Sequence, residues 1–544
     1  MNKALFAASQ VIALALLALP AVSRAQTNAP QSHADDFRTS ARCANCHNKL
    51  KTSKGEDVSI GLEWSASIMA NSARDPYWQG SVRRETIDHP ESSAAIQSEC
   101  ASCHMPLQYQ QDKARNRETA VFSRLPLSSG HAEDAAAADG VSCNVCHQIQ
   151  AAGLGTPATY SGNFAVAAGA QPHPLFGPFV PDSDNITKVH VMAAGYSLEQ
   201  AFHIRDAGLC GSCHTLYTST LGPDGKPTGR LPEQMPYLEW RHSDFSGKQT
   251  CQQCHMPAVG ESVAVASVLG KPRDGVRLHT FTGANFLLEG MLSAHRDDLA
   301  VAAQASDLAA ATTRITSFLQ SQSVRVTLGP PSLSGSDLSF AVRVENLAGH
   351  KLPTAYPSRR AWLHVVVTAA DGRVVFESGK LNPDGSIAGN VNDADPTRFS
   401  PHYARVTQPD QVQIFEPILG DGQGHVTTGL LSATQYLKDN RILPAGFDKS
   451  TAPLDIAVKG DAAADPDFTA GSSITHYDVS TKGASGPFRV SVEFLYQPIG
   501  FRWAHNLASY QATEAQQFVR EYDQAAAHSA VVLAHTEANV NSAQ

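Results

Sequence analysis

A five-residue pattern, Cys-x-x-Cys-His, occurs five times in this 544-residue chain and uses all ten of its cysteines. Two thiols at positions i and i+3 lie on one side of a helical turn, and the histidine follows at once. This spacing is typical of covalent haem attachment, in which the thiols bond to the porphyrin edge and the histidine ligates the iron. The cysteine pairs are Cys43 and Cys46, Cys100 and Cys103, Cys143 and Cys146, Cys210 and Cys213, and Cys251 and Cys254.

The histidines that close the five motifs are the proximal iron ligands in this interpretation. They are His47, His104, His147, His214 and His255. A disulfide framework has no need of a histidine after every second cysteine, and zinc ribbons pair two C-x-x-C units only about 15–20 residues apart. An iron–sulfur cluster needs four thiolates and no histidine. The sequence therefore predicts five covalently bound haem c groups.

The N-terminus has the pattern of a secretory signal peptide. An apolar run extends from Leu5 to Val22 and is followed by Ser23-Arg24-Ala25, with small residues at the last and third-last positions. We expect residues 1–25 to be removed on export and residues 26–41 to form a polar leader. Because covalent haem attachment takes place outside the cytoplasm, the predicted location is the periplasm or the cell surface. No later stretch is apolar enough to cross a bilayer, so no membrane span is expected in the mature chain.

The hydrophobic pattern changes along the chain and predicts an α+β multidomain protein. Residues 42–284 contain every motif among short helical patterns and loops, which predicts a pentahaem cytochrome domain whose core is formed by porphyrin faces. Residues 285–321 have helical spacing and predict connecting helices. Alternating residues across 322–505, with a turn at Asp371-Gly372, predict an antiparallel β-sandwich. Residues 506–544 predict a C-terminal helix and tail.

Two short fragments recur inside the cysteine-rich region. Either a partial duplication or the similar demands of similar haem pockets accounts for the recurrence. Leu62-Glu63-Trp64-x-x-Ser67 is echoed by Leu238-Glu239-Trp240-x-x-Ser243, and Cys103-His104-Met105-Pro106 is echoed by Cys254-His255-Met256-Pro257.

The ligand opposite each proximal histidine decides what a haem does. A second histidine or a methionine closes the iron for electron transfer, whereas an open position admits a substrate. The candidates for this distal position are His131, His190, His279, His350 and Met69. His350 follows a predicted strand of the β region, so it would join two domains if it bound a haem. The alternatives are a surface, capping or interface role for each histidine and a core position on the porphyrin for the methionine.

With these motifs, the chain resembles the multihaem c-type cytochromes, in particular the group related to the tetrahaem electron carriers of nitrifying bacteria. The resemblance covers roughly residues 42–284 and rests on the five motifs, on Trp64-Ser65-Ala66-Ser67-Ile68-Met69-Ala70 and on the paired Cys-His-Met-Pro segments. It implies haems packed closely in stacked or perpendicular pairs, with electron transfer as the default activity. The β region looks like the C-terminal domain of larger multihaem cytochromes.

Two functions of different classes follow from these observations. The first is an exported pentahaem cytochrome that carries electrons between redox partner proteins. The alternative is a multihaem oxidoreductase that acts on a small nitrogen or sulfur compound at one open haem. All five motifs keep the histidine that related enzymes often replace at a catalytic haem, so electron transfer is favoured and no catalytic residue is assigned.

The net charge of the chain is −9, and haem propionates would make it more negative. A surface of this sign argues against a nucleic-acid partner and suits a basic or neutral redox protein. The sequence leaves the oligomeric state open.

Replacing the cysteines of one motif should remove one haem, because covalent attachment then has no thiol. We expect Cys143→Ala with Cys146→Ala to lower the haem content from five to four per chain, measured by mass spectrometry and by the pyridine haemochrome assay. Retention of five covalent haems in such a variant would contradict the assignment.

Overall fold

The computed structural model of the chain describes residues 37–128, 134–167, 172–222 and 224–541. The predicted signal peptide, most of the predicted leader and His131 lie outside these ranges. Within the described ranges, no helix is both long enough and apolar enough to cross a membrane.

Helices are numerous and short in the first half of the chain, and most contain fewer than ten residues. Long helices in proteins are stabilised mainly by packing of a continuous apolar face. Short helices are expected where the residues do not form such a face. The α-helices of the described residues are α1 Ser40–Ala44, α2 Ile60–Ser65, α3 Pro76–Asp88, α4 Ser93–His104, α5 Pro106–Ala114, α6 Ala135–Ala138, α7 Cys143–Gln148, α8 Asp184–Ala194, α9 Ala207–Gly211, α10 Pro236–Arg241, α11 Cys251–His255, α12 Phe286–Ala294, α13 Ala305–Gln322, α14 Val391–Ala394, α15 Phe501–His505 and α16 Thr513–Ala525.

Strands dominate the second half. The β-strands of the described residues are β1 His173–Gly177, β2 Tyr196–Gln200, β3 Leu216–Leu221, β4 Pro227–Gln234, β5 Val263–Ala264, β6 Pro272–Arg273, β7 Val324–Leu328, β8 Ser332–Ser334, β9 Asp337–Asn346, β10 Arg360–Thr368, β11 Val374–Ser378, β12 Arg405–Val406, β13 Ile414–Phe415, β14 Pro417–Asp421, β15 Val426–Thr427, β16 Ala433–Asp439, β17 Phe468–Thr469, β18 Ser472–Ser480, β19 Phe488–Gln497 and β20 Val531–Val540. The protein is therefore a mixed α+β molecule, as the sequence predicts.

Two larger sheets carry the core of the β region. One has the strand order β11-β10-β19-β20 with β13 added to β10, and the other has the order β12-β18-β9-β7 with β8 and β17 at its sides. Most neighbours pair antiparallel, but β12 runs parallel to β18. Buried side chains of both sheets form one apolar cluster, in which the rings of Phe376 and Tyr477 lie 6.5 Å apart between centroids. A core shared by two sheets is the arrangement that alternating sequences favour.

The predicted hairpin is confirmed. The turn at Asp371-Gly372 joins β10 to β11 in an antiparallel pair, and Gly372 has φ of +84°, a conformation that glycine adopts without strain. Helices α12 and α13 occupy most of residues 285–321, and their role as a connection between two domains stays a prediction.

The C-terminal prediction of a helix and tail over 506–544 differs from the structure. Residues Thr513–Ala525 are helical, but Val531–Val540 is a strand that pairs along nearly its whole length with β19. The alanine content of this segment favours a helix, whereas the long-range pairing with β19 decides the outcome. The cysteine-rich part also contains strands that the sequence analysis did not predict, including the parallel pair β1 and β2.

A buried network of charged side chains lies beneath the loop that follows β9. The Lys351 ammonium contacts Asp439 at 2.7 Å, and the Arg441 guanidinium holds the same carboxylate through two hydrogen bonds of 2.8 Å. Arg441 also pairs with Glu239 of α10 at 3.1 Å. Since all four side chains are at least nine-tenths buried, each charge depends on the others for solvation.

Breaking this network should destabilise the fold. Burial raises the pKa of Asp439, but Arg441 and Lys351 outweigh burial and lower it to about 2. Because this folded-state pKa lies below the unfolded value of about 3.9, the stabilisation is present above about pH 4 and is lost as the pH falls towards 2. Asp439→Asn should reduce the free energy of unfolding at pH 7 by about 3–5 kcal/mol, measured by urea titration.

The difference in free energy of unfolding between wild type and Asp439→Asn should become smaller at low pH, because the wild type loses the same interaction there. Asp410→Asn, at an exposed position of the same region, is the matched control and should change little. Equal deficits for the two variants would refute the role of the network.

Candidate metal centres

The cysteine motifs begin on the helices α1, α4, α7, α9 and α11. In the first and fourth motifs the helix ends before the second cysteine, which lies on a turn. In the first motif the His47 and Cys46 amides donate to the Cys43 carbonyl at 3.0 and 3.1 Å. This turn carries both thiols on one side and delivers the histidine directly after them. All ten cysteines are free thiols. No cluster of three or more His, Cys, Asp or Glu side chains suited to a bare metal ion occurs in the described ranges.

Four of the five motif histidines direct Nδ1 at a backbone carbonyl oxygen. The pairs are His47 with Val265 at 2.6 Å, His104 with Ser72 at 3.1 Å, His147 with Phe176 at 2.6 Å, and His255 with Thr282 at 2.6 Å. A carbonyl can only accept, so Nδ1 carries the proton and the Nε2 lone pair is left for a metal. The fifth histidine, His214, makes no such bond to any described residue.

Burial keeps these imidazoles neutral. It lowers the pKa of all five motif histidines, to about 4 for His104 and His214. A metal-ligating histidine must be neutral at the nitrogen that binds. The proximal set therefore has the protonation state that iron ligation requires.

His350 lies opposite His255. The two ring centroids are 6.3 Å apart and the ring planes differ by 13°. Two imidazoles that bind one metal from opposite sides have centroids about 6 Å apart, since a metal–nitrogen bond is about 2 Å and each centroid lies about 1 Å further. His350 also points Nδ1 at a carbonyl, that of Lys351 at 3.0 Å. The pair thus has the separation and the free nitrogens of two axial ligands.

The loop that carries His350 is held from the cysteine-rich side. The Lys351 amide donates to Glu239 Oε2 at 3.1 Å, and the Thr354 hydroxyl donates to the same oxygen. Glu239 is fully buried on α10. Sequence reasoning assigned no role to Glu239, although its place in the repeated Leu-Glu-Trp fragment was a signal.

The other distal candidates occupy different positions. His279 is partly buried, directs Nδ1 at the Arg277 carbonyl at 3.0 Å, and has a pKa that burial and then His147 lower to about 4. His190 on α8 directs Nδ1 at the Tyr196 carbonyl at 3.3 Å and lies within electrostatic range of His47. His131 falls outside the described residues.

Met69 lies beside the third motif and not only beside the first. Its carbonyl accepts the amide of Val141 at 2.9 Å, two residues before Cys143. Its role as a distal ligand stays a prediction.

Thiols of different motifs approach one another. Three pairs are close enough for each thiol to shift the pKa of the other, namely Cys43 with Cys143, Cys103 with Cys213, and Cys210 with Cys251. Cys146 also lies within electrostatic range of Cys210 and Cys213. The first motif is therefore next to the third, the third next to the fourth, and the fourth next to both the second and the fifth. Nothing in the sequence gave this order.

Two buried donors support the fit of a haem to these residues. Trp78 stacks on His104 with centroids 4.6 Å apart, and its Nε1 finds no hydrogen-bond acceptor among the described residues. The hydroxyl of Thr215, directly after His214, likewise has no partner there. Buried donors without a partner are rare, and propionate carboxylates are acceptors of the kind that such donors need. Together with the neutral imidazoles and the paired thiols, the residues present fit covalently attached haem.

The comparisons with known proteins identify the fold. No family model matches the chain, and no curated protein matches it. Among solved structures, it is similar to the crystal structure of a penta-heme cytochrome c552 from Thermochromatium tepidum, with a TM-score of 0.50 and 17% identity. The alignment covers 93% of this chain and 99% of that one. The chain therefore shares the fold of a multihaem cytochrome over both its helical and its β parts.

Removing His350 should disturb one haem, because the imidazole opposite His255 is lost. We expect His350→Ala to change the low-spin spectrum of one haem in five while the covalent haem count stays constant, measured by electron paramagnetic resonance. His425→Ala, at an exposed turn of the same region, is the control. A wild-type spectrum for His350→Ala would leave His350 with an interface role only.

Proposed function

We propose that the protein is an exported pentahaem c-type cytochrome that carries electrons between redox partner proteins along closely packed haems. Haems 1 to 5 are numbered here by the order of their motifs in the chain. A bound haem supplies a one-electron iron couple. The protein contributes the two thiols, the proximal histidine and the distal histidine of each closed site, and it excludes water from them by burial.

The contacts between motifs are the observation that carries this proposal. Thiols of haems 1 and 3, of haems 4 and 5 and of haems 2 and 4 are close enough to shift one another's pKa, and those of haems 3 and 4 interact electrostatically. Attachment points this close support a row 1-3-4-5 with haem 2 as a branch from haem 4. A continuous row of one-electron centres favours transfer of electrons through the molecule over storage at isolated sites.

The two ends of the row differ in their surroundings. At haem 5, Cys254 is the one exposed cysteine. At haem 1, residues 38–54 carry five cations and no acidic residue, and Lys49, Lys51 and Lys54 are exposed. Such a basic surface on an acidic chain supports an acidic redox partner at haem 1 through electrostatic steering. The net charge alone favoured a basic or neutral partner.

A second function, an oxidoreductase at one open haem, is favoured by one observation. Among the described residues, His214 has no carbonyl partner of the kind that the other four motif histidines have. Its electrostatic neighbours are His255, Arg359 and His350, and the two histidines among them already face each other. Haem 4 is therefore the site where a small nitrogen or sulfur compound would bind under this alternative.

Carbon monoxide binding separates the two functions. It binds reduced haem only where the distal position is open, so we expect no binding by the dithionite-reduced protein with all five haems present, read in the visible spectrum. Binding by about one haem in five, lost in a Cys210→Ala with Cys213→Ala variant, would overturn the electron carrier in favour of the oxidoreductase.

A further inference from the structure

The two copies of the Leu-Glu-Trp-x-x-Ser fragment make the same contacts with their surroundings. The Trp64 indole donates to the carbonyl of Val141 at 2.9 Å, and the Trp240 indole donates to the carbonyl of Gln249 at 2.8 Å. Val141 stands two residues before Cys143, and Gln249 stands two residues before Cys251. Each tryptophan therefore holds the same position relative to a haem motif.

The serines give both copies the same local shape. Ser67 donates its hydroxyl to the Trp64 carbonyl at 2.7 Å, and Ser243 donates to the Trp240 carbonyl at 2.8 Å. The amides of Ser67 and Ser243 donate to the same two carbonyls at 2.9 and 3.0 Å, so each serine holds the end of its short helix through both its backbone and its side chain.

The glutamates hold the segments that carry two distal candidates. Glu63 Oε2 accepts the backbone amide of His279 at 2.9 Å. Glu239 Oε2 accepts the amide of Lys351, the residue after His350, at 3.1 Å. A carboxylate that binds a backbone amide fixes the position of that peptide more firmly than a neutral acceptor does.

We propose that Leu-Glu-Trp-x-x-Ser is a repeated positioning module that assigns one distal histidine to one haem motif. The tryptophan fixes the chain that enters the motif, and the neighbouring glutamate fixes the peptide of the distal histidine. The first copy pairs His147 with His279 at haem 3, and the second pairs His255 with His350 at haem 5. This inference rests on the proposed function, because it needs haem at both motifs.

One further observation supports the assignment of the second copy. The ring centroids of His255 and His350 have the separation expected of two histidines that bind one metal, as described above. The first copy makes the corresponding hydrogen bonds, from the Trp64 indole to the Val141 carbonyl and from the His279 amide to Glu63.

The contacts also distinguish the module from a simple duplication of sequence. The repeated Cys-His-Met-Pro segments would make the second motif equivalent to the fifth. The indole hydrogen bonds make the third motif equivalent to the fifth. The module therefore relates the third motif to the fifth, and this relation is not visible in the order of the motifs along the chain.

Glu63 is the residue to change first, because Glu239 also pairs with Arg441 and its loss would disturb the buried network. Glu63→Ala removes the acceptor for the His279 amide, whereas Glu63→Gln retains an oxygen at that place. We expect Glu63→Ala to alter one low-spin haem signal in electron paramagnetic resonance and to allow carbon monoxide to bind about one haem in five. Glu63→Gln should restore the wild-type spectrum.

Three reference variants identify the haem that changes. The signal altered by Glu63→Ala should be the one that His279→Ala alters and the one that disappears in Cys143→Ala with Cys146→Ala. Glu56→Ala, at an exposed position near α2, is the matched control and should leave all signals unchanged. An unchanged spectrum in Glu63→Ala, or a change at a haem other than haem 3, would overturn the module. Absence of covalent haem from the wild type would instead refute the proposed function.

Discussion

A hydrogen bond from Nδ1 of a partly buried imidazole to a backbone carbonyl is the interaction on which the candidate centres depend. It fixes the orientation of the ring and the position of its proton, and it leaves Nε2 free. The carbonyls come from distant parts of the chain, as with Val265 for His47 and Thr282 for His255. Each centre therefore forms only when distant parts of the chain fold around a short motif. The motif supplies the thiols and the histidine, and another part of the chain supplies the carbonyl that orients the ring.

The β region takes part in this arrangement through its loops. Its sheets share one apolar cluster with residues of the cysteine-rich part such as Tyr77 and Leu231. The loop after β9 extends to the cysteine-rich part and brings the ring centroid of His350 to 6.3 Å from that of His255. The charges beneath that loop lie on both parts of the chain, with Glu239 on one side and Lys351, Asp439 and Arg441 on the other. Desolvated charges of this kind are costly unless the partners meet in one geometry. The network therefore favours a single conformation of the loop after β9.

Sequence reasoning predicts what local chemistry determines. The motifs gave the thiols and proximal histidines, and alternation gave strands such as β9, β10 and β19. Sequence reasoning did not predict the strand Val531–Val540, because this strand is stabilised by its pairing with β19 and the residues of the segment alone do not indicate that pairing. The partners proposed for His147 and His255 were equally hidden, since His279 and His350 lie far along the chain from those motifs. The repeated Leu-Glu-Trp fragment was visible, but only its hydrogen bonds show what it connects.

The distance along the chain between His255 and His350 has a consequence for assembly. Ninety-five residues separate these two histidines, and the later one is positioned by a loop whose buried partner, Asp439, comes later still. Under the proposed function, a chain that has received its haems but has not yet folded its C-terminal half would hold the fifth iron on one side only. Completion of that site would then require a folded β region, so a truncated or misfolded product would differ from the native one in the reactivity of a single haem.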